Sequence, residues 1–573
     1  MPEFRALSNF TMLMLASFGG LLIGTAVAGV RTAVGYVQTL LFGMDINSYG
    51  ADAVAGWRIM AVTLAGGLFL GWLLVIAGRF NKLAIVDPVE ANALEGGKMS
   101  FNDSIILVGL SIVSITIGGS VGFEAAMTQL GAGTLSAVGQ KLKLGRRDLR
   151  ILVSAGTGAG LAAIFGAPLA GAFYALELVI GGYAMRALMP TIVASALSSL
   201  MIFILIGNQL DFPVSGTGNP TLWHFPLALL LGFCAAIVGI TVMRGTTSFD
   251  DLLKKIRMPA MLKPLTGAAL LGLTALIAPE VMGPSHAGIK AILAGHEPVN
   301  LLALLLLCKI IASIACVGSG FRGGLFSASL FLGAAMGCLI YNLLITPLFG
   351  SYISLELCVI AGMAGVATSI IGTPIGIVLL MIETAGLHTG VVTVAITAII
   401  ASHFTRQWFG FSFSTWRFHI RGNGLSGPQD IGRLRALKFS DLNLEQIPRI
   451  NEATPLKTAA EIAVNQNSAL LAVNKEDSRF AGLVWRHRLL EEITRGRECS
   501  LSELLEKPKL VVEKDDAIAP CLDSLNRNIN SEVVVLDQEG RLYGLASEAE
   551  ILLRYLSEIQ AAVNDEVELK SKI

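Results

Sequence analysis

Charged side chains are scarce in this sequence. Asp, Glu, Lys and Arg together make up 15% of its 573 residues, whereas 53% are hydrophobic. Soluble proteins carry roughly a quarter charged residues, so the composition excludes a wholly soluble chain and predicts a polytopic membrane protein. Acidic and basic residues balance at 42 each. The net charge therefore carries no information on partners, and no nucleic-acid partner is expected.

Cysteine and histidine are also rare, with seven of each, and they form no cluster. Most cysteines lie in apolar stretches without CxxC spacing, so we expect neither a disulfide framework nor a metal site. No constellation of His, Cys and Asp or nucleophile motif indicates an enzyme. A cleaved signal peptide is not expected either, because residues 1–7 form a short stretch that carries charges of both signs.

Apolar segments follow one another from residue 10 to about residue 411. Those long enough to cross a bilayer, which needs about 20 residues, are 10–42, 58–80, 183–206, 222–243 and 389–408. Shorter segments interrupted by glycine or proline are 104–117, 125–138, 168–180, 289–295, 324–340 and 374–385. Broken helices at membrane depth line cavities in transporters and channels. The pattern favours these classes over a receptor with a few uninterrupted spans.

The apolar part contains a repeat. Residues 155–168 (AGTGAGLAAIFGAP) align with 361–374 (AGMAGVATSIIGTP), and the same offset of 206 relates Glu177 to Glu383. Residues 118–131 have a weaker counterpart in 318–333, at an offset of 202. Small residues at every third or fourth place also suit tight helix packing in lipid. Two paired segments in the same order favour duplication, which predicts a site at the junction of the halves.

Residues 118–131 (GGSVGFEAAMTQLG) hold a single carboxylate, Glu124, in an uncharged run. Glycines before a helix let unpaired N–H groups converge at its N-terminus, where the helix dipole favours an anion. Glu124 can be that anion, and after protonation it can leave and admit another from solution. The alternative is an ordinary glutamate in the first turn of a helix.

After the last apolar segment the sequence becomes soluble and basic. The cations that follow it predict a cytoplasmic side by the positive-inside rule: Arg417, His419, Arg421, Arg433, Arg435 and Lys438. We expect a linker at 423–442, two α/β units at 443–556 and a charged tail at 557–573. The strands expected in the two units are 469–473 and 480–484, then 533–536 and 542–545, with Gly482 and Gly544 at equivalent points.

Four motifs in series resemble the CLC family of chloride channels and transporters. Residues 122–131 (GFEAAMTQLG) are similar to its G-[RK]-E-G-P motif, 323–328 (GGLFSA) to G-G-x-F-x-P, and 165–171 (FGAPLAG) to N-A-P-L-A-G. The paired units at 443–556 look like CBS domains. The resemblance implies a homodimer whose 1–422 segment is a membrane domain of discontinuous helices. Its inverted halves are about 10–210 and 220–410.

The same resemblance implies the roles of particular residues. Glu124 corresponds to the gating glutamate, and each subunit has its own pore. The backbone amides of Leu325 and Phe326 would bind the central anion, assisted by Gly122 and Phe123 at the start of the Glu124 helix. Partial charges of this kind hold an anion firmly enough to select it and loosely enough to release it.

Two anion contacts of the family are altered. Ile85 stands where the family has a serine, and Asp87 with Glu90 is typical of an ordinary helix start with an N-cap and an N3 acid. The family's pore tyrosine is replaced by Ser414 or, with a shift of one residue, by Phe413. Ser414 offers a substitute hydroxyl, although a helix-cap role is favoured.

A second, internal glutamate that passes protons in family exchangers aligns with Leu178. Its neighbour Glu177 lies about 100° further round an α-helix, and any relay would have to use Glu177, Tyr174 or water. The symmetry between Glu177 and Glu383 favours a structural role. Intramembrane acids are nevertheless functional candidates by default.

Nucleotide-binding CBS units present Ser or Thr followed by Asp three residues later. Here Ser547 precedes Glu550, whereas Trp485 and Arg488 occupy the equivalent places in the first unit. A structural dimerisation module is favoured over an adenine-nucleotide site.

The function expected from the resemblance is transport of a small anion, chloride first, by a passive channel or loosely coupled carrier. Fluoride, nitrate and bicarbonate stay open as the anion, and a chloride/proton antiporter is the alternative mechanism. A CBS-bearing divalent-cation transporter is the alternative of another class, but it would need acidic clusters along the pore. We expect the plasma (inner) membrane, with both termini and the CBS units cytoplasmic, and no cofactor beyond the adenine nucleotide considered above.

Overall fold

The computed structural model describes the greater part of the chain, and the structural statements below concern that part alone. The described residues are 7–44, 54–80, 86–207, 212–214, 221–295, 297–387, 389–410, 412–413, 416, 437–475, 479–496, 499–518, 521 and 532–567. They form two compact units, Met1–Gln429 and Asp430–Ile573.

Helices build the described part of the first unit. Its first half contains α1 (Asn9–Phe42), α2 (Gly56–Phe80), α3 (Pro88–Ala93), α4 (Phe101–Thr116), α5 (Glu124–Lys141), α6 (Arg146–Phe165), α7 (Pro168–Ala175) and α8 (Met185–Leu205). The second half contains α9 (His224–Lys255), α10 (Lys263–Ile277), α11 (His286–Leu293), α12 (Val299–Ser319), α13 (Phe326–Ile340), α14 (Thr346–Phe349), α15 (Leu355–Ile371), α16 (Pro374–Ala385) and α17 (Val391–Trp408). Two π-helical turns, Leu176–Ile180 and Tyr341–Ile345, continue α7 and α13.

Seven helices in the described residues are long and apolar enough to span a membrane. The segments predicted at 104–117, 168–180 and 374–385 are indeed shorter. The segment predicted to be short at 324–340 continues to Leu348 and is among the seven, whereas the span predicted at 389–408 is not among them. The prediction for 222–243 was too short, because α9 continues to Lys255. Within its polar end Lys254 pairs with Asp250 one turn earlier, at 2.7 Å between Nζ and Oδ2, which adds a small stabilisation to the helix. Helices α10 and α12 were not assigned from the sequence.

The two halves repeat their helix packing. Helix α5 crosses α6 so closely that a Cβ on Gly131 or on Gly156 would collide with the carbonyl of the other glycine. Helices α13 and α15 cross in the same way at Gly333 and Gly362. These four glycines are related by the offsets found in the sequence, 202 and 206. The small-residue pattern therefore reflects both close helix packing and duplication.

A carboxylate from the second half holds the start of a helix in the first half. Glu383, near the end of α16, accepts hydrogen bonds from the backbone N–H groups of Leu169 (2.9 Å) and Ala170 (2.8 Å). Both donors lie in the first turn of α7, where the N–H groups have no partner within the helix. A negative charge there is also favoured by the helix dipole.

The equivalent contact in the opposite direction joins Glu177 to the first turn of α16. Its two oxygens accept hydrogen bonds from the N–H groups of Ile375 (3.2 Å) and Gly376 (2.9 Å). Tyr183 adds a hydroxyl hydrogen bond of 3.0 Å. Each glutamate therefore caps the helix that carries the other one. This reciprocity is what a pseudo-twofold axis between the halves requires.

The second unit has its own internal repeat. Its strands are β1 (Arg449–Asn451), β2 (Leu470–Asn474), β3 (Phe480–Trp485), β4 (Leu510–Glu513), β5 (Val533–Leu536) and β6 (Leu542–Ala546). Its helices are α18 (Leu456–Asn465), α19 (Arg486–Thr494) and α20 (Glu548–Val567). The sheet orders are β1-β2-β3 and β4-β5-β6, each with one parallel and one antiparallel pair.

The equivalence of Gly482 and Gly544 is confirmed. Gly482 pairs with Val473 and Gly544 with Val535, and in both sheets the register shifts immediately after that pair. The four strands expected from the sequence are present within one residue at each end. Strands β1 and β4 were missed, because three or four residues of mixed polarity carry no clear alternation.

The boundary expected at 442/443 falls inside the second unit. Phe439 is fully buried and packs with Leu437, Val512 and Ile518. Lys438 pairs with Ala517 as a β-bridge. The end of the expected linker therefore belongs to the core of the unit. Helix α20 likewise runs through the expected start of the tail, to Val567.

Candidate functional site

The two glycine-rich stretches meet at the centre of the first unit. Gly122 donates to the carbonyl of Gly324 at 2.9 Å, and Gly324 donates back to Gly122 at 3.2 Å. These residues are separated by the offset of 202 found in the sequence, so each pairs with its own counterpart. The pair places the N-termini of α5 and α13 at the junction of the halves, where duplication predicted the site.

Glu124, the first residue of α5, is 2% exposed and its carboxylate crosses to the other half. Oε1 accepts a hydrogen bond from the hydroxyl of Ser327, in the first turn of α13. Oε2 lies against Gly122, and no hydrogen-bond partner for it occurs among the described residues. The carboxylate of one half therefore occupies the anion-favouring N-terminus of a helix from the other half.

The residues expected to bind the anion line the same place. Leu325 and Phe326 form the N-terminus of α13 and are buried, and Phe123 is buried at the N-terminus of α5. The Phe326 ring packs on Phe165 and on Tyr174, with centroids 5.2 and 6.1 Å away. An anion at this position would meet backbone N–H groups of two helices and apolar walls. No full positive charge lies within the two motifs except Arg322.

Ser327 was missed by the sequence reasoning, which assigned only backbone amides to this motif. Its hydroxyl is the side-chain donor that holds Glu124. A hydroxyl in the first turn of a helix that follows two glycines was the available signal. The partner could not be inferred, since Glu124 lies 203 residues away.

Lys309, on α12, was also not identified from the sequence, and unlike Ser327 it is charged. It is fully buried, and its ammonium donates to the carbonyls of Val281 (2.9 Å) and Gly283 (3.0 Å) and to the hydroxyl of Ser285 (2.7 Å). The N–H of Gly283 in turn donates to the carbonyl of Gly118, at the start of the Glu124 loop, at 3.0 Å. All three ammonium protons are used, so Lys309 supports the loop that precedes the carboxylate.

Lys309→Met is expected to destabilise the first unit. The change leaves three buried oxygens without their donor, and each unsatisfied group costs about 1–3 kcal/mol. Thermal unfolding of the purified protein in detergent should begin at a lower temperature than in the wild type. Lys290→Met, at an exposed site of α11, is the matched control. Equal unfolding temperatures for the two variants would contradict this role of Lys309.

The two altered anion contacts lie mostly outside the described residues. Ile85 and Ser414 both lie outside the described residues, so their roles stay predictions. Phe413 is described and is buried. The helix start next to Ile85 is confirmed, because Asp87 caps α3 with a hydrogen bond of 2.8 Å from the N–H of Val89. The Asp87 carboxylate thus has a local structural use.

Leu178 is buried in the π-helical turn that ends α7. The angle of 100° expected between Leu178 and Glu177 assumed an α-helix, and the wider π-turn replaces that geometry. The turn is closed by a hydrogen bond of 2.8 Å from the N–H of Gly181 to the carbonyl of Leu176. The carboxylate of Glu177 contacts the first turn of α16. A proton-relay role for Glu177 or Tyr174 stays a hypothesis.

In the second unit, Ser547 and Glu550 make local contacts. The Ser547 hydroxyl accepts from the N–H of Glu550 at 3.2 Å, which is the N-cap interaction of α20. The Glu550 carboxylate accepts from the N–H of Asn443 at 3.3 Å. In the other half, Glu506 binds both Trp485 (2.9 Å) and Arg488 (3.0 Å). These contacts favour the structural interpretation of both positions.

Adenine nucleotides are therefore expected to bind weakly or not at all. A thermal-shift titration of the full-length protein in detergent with ATP, ADP and AMP should leave its unfolding temperature unchanged. Ser547→Ala, which removes the hydroxyl at the position that nucleotide-binding CBS units use, is the control. A rise in the wild type that depends on nucleotide concentration and is lost in Ser547→Ala would overturn the structural interpretation.

Comparison with known proteins adds independent information on the first unit. A family model described as "Voltage gated chloride channel" matches residues 66–406. The voltage-gated ClC-type chloride channel ClcB of Salmonella typhimurium is 26% identical over 406 residues, which cover 69% of this chain and 96% of that protein.

Solved structures show the same fold. The structure of a slow cyanobacterial Cl−/H+ antiporter matches with a TM-score of 0.62 and 20% identity, over 73% of this chain and 99% of the other. That of a eukaryotic CLC transporter matches with a TM-score of 0.57 and 17% identity, over 94% of this chain and 97% of the other. Identities this low establish the architecture alone.

Proposed function

Since this chain belongs to the voltage-gated chloride channel family and is a membrane protein for anion transport, we propose that it conducts chloride through a pore gated by Glu124. Each subunit of a homodimer contains its own pore. Transport is passive or only loosely coupled to protons. The channel name of the ClcB relative and the position of Leu178 support this mechanism over a strict exchanger.

The observation that carries the proposal is the position of the Glu124 carboxylate. It comes from one half and lies at the N-terminus of α13 in the other, held by the hydroxyl of Ser327. That terminus is where a free anion would bind, because its backbone N–H groups lack helical partners. A carboxylate and a chloride ion compete for the same N–H groups. Protonation weakens the hold on the carboxylate and lets the anion replace it.

A chloride/proton antiporter is the second candidate, because a carboxylate buried at the proposed anion site, as Glu124 is, can accept a proton. The cyanobacterial structure that matches the first unit is that of a Cl−/H+ antiporter. Glu124 would supply the outer proton acceptor in such a mechanism. The inner acceptor would have to be Glu177, whose oxygens face backbone N–H groups of α16.

The orientation follows from charge. Lys254, Lys255 and Arg257 follow the long span α9, and positive charge next to a span marks the cytoplasmic side. Together with the basic residues after residue 416, they support an orientation in which both termini and the second unit are cytoplasmic and the protein lies in the plasma membrane. Dimer formation rests on the family resemblance, and cross-linking in membranes tests it.

Flux from reconstituted liposomes tests the proposed function. Vesicles loaded with KCl should release chloride down its gradient when valinomycin lets K+ leave and balances the charge. A divalent-cation dye in the same vesicles should not respond. Fluoride, nitrate and bicarbonate in place of chloride give the selectivity order. Cation entry without anion release would refute anion transport and support the CBS-bearing cation transporter.

A further inference from the structure

A cavity of about 400 Å³ lies next to the Glu124 site. It is lined by Phe123, the residue before Glu124, and by Ser327, the hydroxyl donor to its carboxylate. A stretch of α1 that includes Arg31 and Tyr36 lines the same cavity. The cavity therefore connects α1 directly to the groups that hold the gate, although nothing in the motifs points to α1.

The stretch of α1 that lines the cavity presents polar side chains. Thr32, Gly35, Tyr36 and Thr39 line the cavity and recur at spacings of three and four, so they share one face of the helix. Both threonine hydroxyls donate to their own helix, to carbonyls one turn earlier. Their protons are used within the helix, so these hydroxyls offer acceptor oxygens to water, and donation to an anion is left to Arg31.

Arg31 is the one Lys or Arg among the described residues that line the cavity, which also include His286, and no carboxylate is among them. Its guanidinium is half-buried and donates from Nη1 to the carbonyl of Ile164 at 3.2 Å. No second hydrogen bond of this side chain occurs in the described part of the chain, and a guanidinium has five N–H donors. One bond fixes its direction, and the remaining donors are able to bind an anion.

We propose that this cavity contains an anion site beyond the gate, in which Arg31 binds an inorganic anion that waits to replace the Glu124 carboxylate. The inference rests on the proposed function and deepens it. With the N-terminus cytoplasmic, Arg31 lies in the outer half of the 34-residue helix α1, so the site receives anions from outside. Ser327 lines the cavity, so the hydroxyl that releases the carboxylate becomes available to the arriving anion.

Charge around the gate supports an inorganic anion as the occupant. Phe123, beside Glu124, contributes no charge, whereas the family motif quoted above has Arg or Lys at that place. Arg31 brings a cation to the same cavity from another element. A fixed cation in a cavity with low-dielectric walls raises the local anion concentration. A phospholipid headgroup has similar chemistry, but it would fill the route to Ser327 and obstruct transport.

Chloride uptake at varied external concentration tests the site. Arg31→Gln should raise the half-saturating external chloride about tenfold, the size expected for one lost charge-assisted hydrogen bond, and leave the maximal rate largely intact. Arg31→Lys should retain most of the affinity, since it keeps the charge. Lys290→Gln removes one charge at an exposed position and should match the wild type. An unchanged or lowered half-saturation in Arg31→Gln would overturn the proposal and favour a lipid occupant.

Bromide in crystals gives a readout that does not depend on transport. The anomalous map of bromide-soaked wild-type crystals should show a peak beside Arg31, and crystals of Arg31→Gln should lack it. A wild type that transports chloride without this peak would refute the site and leave the proposed function intact. A peak in a protein that moves no anion would refute the proposed function and leave the site intact. A peak that persists in Arg31→Gln would overturn the assignment to Arg31.

Discussion

Glu124→Gln is expected to leave anion flux in place and to remove most of its dependence on pH. Glutamine has the size of glutamic acid but no proton to gain or lose, so it imitates the protonated gate at every pH. Without a negative charge, the side chain competes poorly with chloride for the N–H groups of α13. The measurement is chloride efflux from liposomes across a range of pH values on both sides, in the wild type and in the variant.

Glu356→Gln is the matched control for this experiment. Glu356 also lies in the first turn of a helix of the same unit, α15, whose N-cap is Ser354. The control therefore removes a first-turn carboxylate without touching the junction of the halves, and its flux should keep the pH profile of the wild type. If Glu124→Gln keeps that profile too, Glu124 is a structural first-turn acid and the gating proposal is wrong.

The location of this site could be predicted from the sequence because its determinants are local. Glycines followed by a lone carboxylate and a helix of small residues identify Glu124 within about a dozen positions. The contact with Ser327 could not be predicted, since it depends on the register in which Gly122 pairs with Gly324. A repeat offset gives equivalent residues. It does not say that equivalent residues touch.

The same distinction separates what the repeat predicted from what the fold added. Glu177 and Glu383 were identified as equivalent, and a hydrogen-bonded structural role was favoured for them. The structure adds that each binds the helix of the other. A sequence repeat predicts that a pseudo-twofold axis relates the two halves, but it does not say where that axis passes. Only an axis that passes between α7 and α16 lets each glutamate bind the helix that carries the other.

Short-range rules succeeded where the partner was near in sequence. Asp87, for example, lies only two residues before Val89, whose N–H donates the capping hydrogen bond to its carboxylate. Arg31 and Lys309 were not identified, because their partners lie 133 and 24 to 28 residues away and neither belongs to a motif. The π-turn at Leu176–Ile180 was missed for another reason, since it follows a short, mostly apolar helix in which a shift of the hydrophobic periodicity cannot be seen.

Glu177→Gln and Glu383→Gln are expected to destabilise the first unit by similar amounts. Each change replaces a carboxylate that accepts two N–H hydrogen bonds with an amide that has one oxygen and a competing donor. One hydrogen bond to a charged group contributes about 1.5–3 kcal/mol, and both carboxylates are partly exposed, which favours the lower end. Thermal unfolding in detergent measures the effect. The double variant should deviate from additivity, because both contacts join α7 to α16.

The same pair of variants decides whether Glu177 also carries protons. Proton and chloride fluxes are measured together in liposomes that hold a chloride gradient, and we expect little or poorly coupled proton movement in the wild type. Both single variants should then show the wild-type ratio of the two fluxes, since Glu383 is the structural counterpart of Glu177. Uphill proton movement at a fixed ratio in the wild type would refute the channel mechanism. Loss of that movement in Glu177→Gln, with retention in Glu383→Gln, would identify Glu177 as the inner relay, because both variants weaken the same helix contact and only one removes the acceptor beside Leu178.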